Sequence, residues 1–289
     1  MKNTNVIHYY LELCKPRILT LVLLTTAFGF FLAAGGKIPS LLALFELMIG
    51  VACVCSGSAV LNHYLERDID AKMERTRNRP LPLKLIPANH ALLLGVYLVL
   101  LGVLFLWWRI NLLTSFLSLL TSFLYILVYT PMKRISWINT TIGAIPGALP
   151  IVGGWAAARG ELSIEAWILF AIMFIWQHPH FYSIAWMYKE DYARGGLKML
   201  PVVHPDGRST LIQIIGFLAL LLFISTIPSY IGMSGKVYWW GAWILGFFFL
   251  QKGFELVFNP CHFAARNLLK ASVLYLPLLF ALMIVDITF

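Results

Sequence analysis

The feature that most constrains this chain is a series of apolar stretches, several of them longer than the roughly 18 residues a helix needs to cross a bilayer. In lipid every backbone N–H and C=O must be satisfied internally, so stretches of this length read as helices. Composition agrees: 60% of the 289 residues are hydrophobic, 15% aromatic and only 12% charged, and mean hydropathy is +0.80. An ordinary soluble domain is excluded. The length accommodates about nine spans with short loops, and leaves no room for a separate soluble domain. The expected fold class is an all-α polytopic membrane protein, with residues 1–289 forming a single transmembrane domain.

The spans fall near 17–35, 41–62, 88–108, 111–130, 139–158, 164–187, 210–231, 236–254 and 268–287. Ahead of them, Val6, Tyr9, Tyr10 and Leu13 are spaced i, i+3, i+4, i+7, which predicts a short amphipathic helix at the interface. On this map 18 of the 22 Lys and Arg residues lie on one side, and only Lys37, Arg109, Arg159 and Lys236 on the other. The positive-inside rule then puts the N-terminus in the cytoplasm and the C-terminus outside. The net charge of +9 is topological, so membrane lipid is expected as a partner and nucleic acid is not. Cys14, Cys53, Cys55 and Cys261 form no C-x-x-C and indicate neither zinc nor a disulfide framework. A weak internal repeat is visible, since spans two and six each lead into a long charged loop, and spans four and eight into shorter basic ones. Spans 1–4 and 5–8 would form two halves, with span nine added, around a central cytoplasm-facing cavity.

The densest run of charge, Asn62 to Leu81, reads NHYLERDIDAKMERTRNRPL and follows directly on an apolar segment. Asn62, Glu66 and Asp70 are spaced i, i+4, i+8, so a helix continuing through them carries all three on one face, drifting about 40° per step. Amide and carboxylate oxygens are hard ligands suited to Mg²⁺. Arg75, Arg77 and Arg79 follow, so the same run offers metal ligands and donors for an anion, which is what a diphosphate requires. A solvated mixed-charge loop is the plain alternative.

This run resembles the first aspartate-rich motif of the UbiA superfamily of intramembrane prenyltransferases, N-x-x-x-D-x-x-x-D followed by R-P-L, with Glu66 where the pattern has Asp. The N-x-Y-x-x-R-D-I-D form and the later His178-Pro179-His180-Phe181 are most similar to the haem-farnesylating branch, which makes haem O. The resemblance implies farnesyl diphosphate as donor, a vinyl group of protohaem IX as acceptor, Mg²⁺ as cofactor and haem-handling membrane proteins as candidate partners. It implies that Asp191 and Gly195 occupy the last two positions of a second motif, D-x-x-x-D-x-x-x-G, whose first position here is Met187. Glu190 is the nearest substitute ligand. Tyr129 and Lys133 resemble a third signature, Y-x-x-x-K, although Pro131 argues against a continuous helix between them. Asn62, Glu66, Asp70, Asp191 and Glu190 are thus the candidate metal ligands. Arg79, Lys133, Arg75 and Lys198 are the candidate diphosphate donors, and Asp70, Asp191, Lys133 and Tyr129 the candidate catalytic groups. His178 and His180 are candidates for haem; two residues apart, they face nearly opposite ways on a regular helix, and they can equally satisfy carbonyls freed by Pro179. Glu46 and Asp286 fall towards the outer ends of their spans, and Ser209 is expected to cap span seven. Prenylation of a quinone precursor, and secondary transport through proline-broken helices, are the two other readings.

Overall fold

The computed structural model describes residues 6–288 and is helical almost throughout. The first half comprises α1 (Val6–Leu13), α2 (Pro16–Ala33), α3 (Leu41–Asp70), α4 (Ala88–Arg109), α5 (Leu112–Phe123), a π-helical turn (Leu124–Tyr129) and α6 (Thr130–Ile135). Next come α7 (Asn139–Arg159), α8 (Ile164–Met187), α9 (Lys189–Arg194) and α10 (Leu200–Val203). The chain ends in α11 (Arg208–Ile224), α12 (Ile227–Tyr230), α13 (Lys236–Phe258) and α14 (His262–Val285). Eight helical segments among the described residues are long and apolar enough to cross a membrane. The 24-residue α8 is as long, but Gln177, His178, Pro179 and His180 dilute its apolar character. Counted with those eight, it brings the rods to the nine expected.

The bundle is built for lipid. Leu100, Trp108, Phe116 and Ile244 are exposed on its outside, whereas Asn62, Glu66, Asp70, Gln177 and His178 are buried within. With no hydrophobic difference between lipid and side chain, helices associate through close packing, and small residues permit it. A Cβ at Gly57 of α3 would lie 2.7 Å from the Gly95 carbonyl oxygen of α4, and one at Gly154 of α7 would collide with the Thr26 carbonyl of α2. These contacts join α3 to α4 and α2 to α7, while α8 packs among α7, α11 and α14.

Three boundaries differ from the sequence reading. Helix α3 does not stop at Asn62 but runs 30 residues to Asp70, so the first motif is its last two turns. Helix α14 starts six residues early, because Cys261 turns the chain and its Sγ accepts from the Ala264 N–H at 3.5 Å. Gly207, not Ser209, precedes α11; at φ 75° it occupies the left-handed region at no steric cost, which puts Ser209 inside the first turn.

Candidate active site

Each polar group of the first motif meets a cation brought by another segment. The Lys15 ammonium donates to Asn62 Oδ1 at 2.5 Å, while Asn62 Nδ2 donates to Thr130 Oγ1 at 3.0 Å. Lys133 donates to Glu66 Oε1 at 2.7 Å and Arg79 to Asp70 Oδ2 at 2.8 Å. Asn62, Glu66 and Asp70 are 1%, 7% and 1% exposed, so these pairs are made largely out of water, where charge-assisted bonds are strong. Lys15 sits at the joint between α1 and α2 with φ 50°. Burial pushes its ammonium down to about 7, with Glu66 opposing that fall and Arg79 and Lys133 adding to it.

Lys133 reaches Glu66 through a backbone feature that reasoning from regular helix geometry does not anticipate. Pro131 lacks an N–H and its ring crowds the carbonyl four residues back, which in a regular helix forces a break. Here the preceding turn widens to π geometry over Leu124–Tyr129, with the Thr130 N–H bonding to the Tyr125 carbonyl five residues back. The rod therefore continues through Pro131, correcting the expected interruption. Lys133 Nζ then lies 4.6 Å from the centre of the Tyr129 ring, and Tyr125 Oη is 3.4 Å from Lys15 Nζ. Such π turns recur at functional sites.

The second motif is arranged differently. Asp191 Oδ1 accepts from the Glu74 N–H at 2.8 Å and from Arg194 at 2.8 Å, and Oδ2 accepts from the Arg75 N–H at 3.3 Å. It clasps the chain that follows α3 against α9. Partial burial works to raise its pKa, but the Arg194 guanidinium and the two backbone donors hold the carboxyl below its usual range. Glu190 is exposed. The Arg75 guanidinium stacks over Tyr188 and Tyr192 at 5.3 and 5.6 Å. Lys198 is exposed and lines a surface cleft with Trp137 and Val202; its N–H bonds the Lys133 carbonyl at 2.7 Å.

The two histidines of α8 diverge, as their spacing expects. His178 Nδ1 lies 2.9 Å from the Phe174 carbonyl and Nε2 3.2 Å from Thr141 Oγ1, with the ring stacked 3.7 Å from Phe217. His180 turns to α14, where Nδ1 lies 2.7 Å from Ser272 Oγ, and its ring stacks on Trp176. At the far end of α3, Glu46 pairs with Arg109, and Asp286 Oδ2 accepts from the Tyr238 N–H at 2.7 Å. Neither joins the cluster.

Lys15, Tyr125, Thr130 and His63 belong to the cluster but carried no functional signal in the sequence. Lys15 reads as one of many inner-side charges, and only its place just before Pro16 could have singled it out.

Among the described residues no three His, Cys, Asp or Glu side chains converge closely enough to hold a metal ion. The amide of Asn62 changes the count. With Glu66 and Asp70 it makes a hard-oxygen set on one helix face, and each carboxylate keeps one oxygen outside its ion pair. That donor chemistry fits a divalent cation such as Mg²⁺. Asp191 does not offer the same opening, since both of its oxygens accept hydrogen bonds.

Residues 22–282 match the model of the UbiA prenyltransferase family. The chain is 48% identical over 285 residues to the protoheme IX farnesyltransferase of Solibacter usitatus, covering 96% of this chain and 98% of the relative. It is 45% identical to the protein of the same name from Salinibacter ruber, again covering 96% and 98%. Among solved structures, a digeranylgeranylglyceryl phosphate synthase superposes with a TM-score of 0.82 at 19% identity, covering 97% of this chain and 98% of that one. A UbiA homologue from Archaeoglobus fulgidus bound to GPP and Mg²⁺ superposes with a TM-score of 0.62 at 19% identity, covering 95% and 99%. At that identity the structures speak for the fold alone, while the near full-length match to the family model and the close relatives speak for descent: the chain belongs to the UbiA prenyltransferase family.

Proposed function

We propose that this chain transfers a farnesyl group from farnesyl diphosphate to a vinyl group of protohaem IX, giving haem O. The observation that carries the proposal is the acid–cation cluster at the end of α3. Two carboxylates and an amide stand beside Lys133 and Arg79, the groups needed to hold a metal and a diphosphate together. Relatives that share up to 48% identity bear the name of this activity.

Asn62, Glu66 and Asp70 would hold Mg²⁺, with Asp191 fixing the loop that follows them rather than lending a free oxygen. When bound, the ion supplies charge that stabilises the departing pyrophosphate. Lys133 and Arg79 donate to the diphosphate oxygens, which already places positive charge where negative charge develops. The C–O bond to the farnesyl group breaks with its electron pair leaving on pyrophosphate. The vinyl terminus of the porphyrin bonds to the allylic carbon, water adds to the neighbouring carbon, and one proton is released. The apolar interior keeps water from capturing the allylic cation first. Tyr129, held over Lys133, orients that ammonium. Of the two histidines, His180 is the better candidate for haem, because His178 has both ring nitrogens engaged. Arg75 and Lys198 would assist as peripheral charges.

We read residues 1–289 as one domain of two four-span halves and a ninth helix, in a bacterial inner membrane. The N-terminus is cytoplasmic, with the charged loops on that side by the positive-inside count. Purified protein incubated with haem, farnesyl diphosphate and Mg²⁺ is expected to yield a farnesylated, hydrated porphyrin by mass. The product disappears with EDTA and with Asp70→Ala. Failure to form any adduct from folded protein would remove haem as the acceptor.

A further inference from the structure

His63 stands within the acid–cation cluster and has no hydrogen bond of its own. It is 2% exposed, and neither ring nitrogen has a hydrogen-bond partner among the described residues. Its Nδ1 lies 3.9 Å from Asp70 Oδ2, the same oxygen that Arg79 holds at 2.8 Å. Seven residues make close to two helical turns, so His63 and Asp70 lie along one line of α3. A buried imidazole left unsatisfied lowers stability, which makes its place beside this particular carboxylate informative.

Resting on the diphosphate reading above, Arg79 has two claimants. When a diphosphate draws the guanidinium, Asp70 Oδ2, the oxygen turned away from the metal, loses its donor at a position 1% exposed, where an unsatisfied polar atom is costly. We infer that His63 is a positioning residue that takes over Asp70 in the loaded site, donating its Nδ1–H to Oδ2 as Arg79 turns to the diphosphate. The ring acts as a neutral imidazole, so no change of protonation is involved. The contact must shorten by about 1 Å to reach hydrogen-bond distance, within what a side-chain adjustment supplies. The consequence is that Asp70 stays aimed at the metal through ligand entry. Partners of this kind, one step out from a metal ligand, set its orientation and the affinity of the site.

The test compares wild-type protein with His63→Leu and His63→Asn, using inorganic pyrophosphate with Mg²⁺ as the probe in titration calorimetry and thermal melting of the ligand-free protein. His63→Leu is expected to weaken pyrophosphate binding about 10–100-fold, while its ligand-free melting temperature holds or rises because a buried orphan has been removed. His63→Asn, which keeps a donor at similar reach, restores most of the affinity. Unchanged binding in His63→Leu overturns the inference, and so does a loss of affinity that runs parallel with a loss of melting temperature. If His63→Leu does not accumulate, exchange of the His63 C2 hydrogen in wild-type protein, followed by mass, slows on addition of pyrophosphate and Mg²⁺; an unchanged rate overturns the inference. Wild-type protein that binds no pyrophosphate sinks the prenyl-diphosphate reading itself, an outcome visible before any variant is made.

Discussion

The Glu66–Lys133 pair separates two roles that a single substitution confuses. Glu66 Oε1 and Lys133 Nζ are 2.7 Å apart with side chains 9% and 15% exposed, so removing one partner strands a charge in a poorly solvated place. Lys133→Met is therefore expected to lower stability by about 3–5 kcal/mol, the range for breaking a buried pair from one side. The double variant Glu66→Gln/Lys133→Met recovers most of that stability, since two apolar or neutral groups replace the pair. Neither variant regains turnover, because the diphosphate has lost a donor and the metal a ligand. Melting in detergent and a haem-farnesylation assay together read the difference; a double variant as unstable as the single one contradicts it. The histidines of α8 divide in the same manner. His180→Ala is expected to weaken haem binding, read from the haem absorption band, besides lowering the melting temperature through loss of the Ser272 bond and the Trp176 stack. His178→Ala should lower the melting temperature and leave haem binding unchanged, because its ring is stacked on Phe217 and both its nitrogens are engaged, by Thr141 and the Phe174 carbonyl. Equal effects on haem binding from both variants would remove the distinction.

At the scale of elements, the clasp between α9 and the chain after α3 depends on one carboxylate. Asp191 has a depressed pKa in the folded protein, so the folded state binds fewer protons than the unfolded state as pH falls. Its contribution to stability is therefore present above the unfolded value of about 3.9 and lost as pH drops through the lower folded value. Asp191→Asn lacks that titration. The melting temperatures of wild-type and variant should differ most above pH 5 and converge below pH 4; a constant offset across that range counts against the clasp. Elements also show what the sequence revealed. That Asn62, Glu66 and Asp70 share one face if they are helical was legible from their i, i+4, i+8 spacing, but the end of α3 was not, because the apolar run stops at Asn62 while the helix runs on to Asp70. The Tyr129–Lys133 connection was not, because reading Pro131 as a break assumes a regular helix, and the π turn removes that premise. Lys15 was hidden for another reason: a lysine before a membrane span is expected for topology alone, so its contact with Asn62 added nothing visible to the pattern. His63 carried no signal either, being one more polar residue in a polar run whose significance lies in what its ring fails to touch.

For the whole molecule, charge balance decides the order in which ligands can enter. Glu66 and Asp70 bring two negative charges and Lys133 and Arg79 two positive ones, while Lys15, its ammonium held down to about 7, adds a third cation that is about half protonated at neutral pH. The ligand-free site therefore carries an excess positive charge and has already spent one oxygen of each carboxylate on a resident cation. A free divalent ion approaching it is repelled by three cations and must compete with them for the same acids. A diphosphate is attracted to those cations, and by engaging Lys133 and Arg79 it releases the carboxylates. With one divalent ion added, the excess reaches three once the anion draws Lys15 fully into its ammonium form, matching a prenyl diphosphate trianion. Metal and diphosphate should consequently bind with strong positive coupling. Protein-bound Mn²⁺, measured by electron paramagnetic resonance with Mn²⁺ standing in for Mg²⁺, is expected to bind at least about 10-fold more tightly when inorganic pyrophosphate is present. Pyrophosphate must then gain the same factor from Mn²⁺, because coupling between two binding sites is reciprocal. Glu66→Gln/Lys133→Met removes one acid and one cation together and should shrink that factor. Mn²⁺ affinity that is the same with and without pyrophosphate would mean that the acids are free to take metal first, and that the ion pairs at the end of α3 do not gate the site.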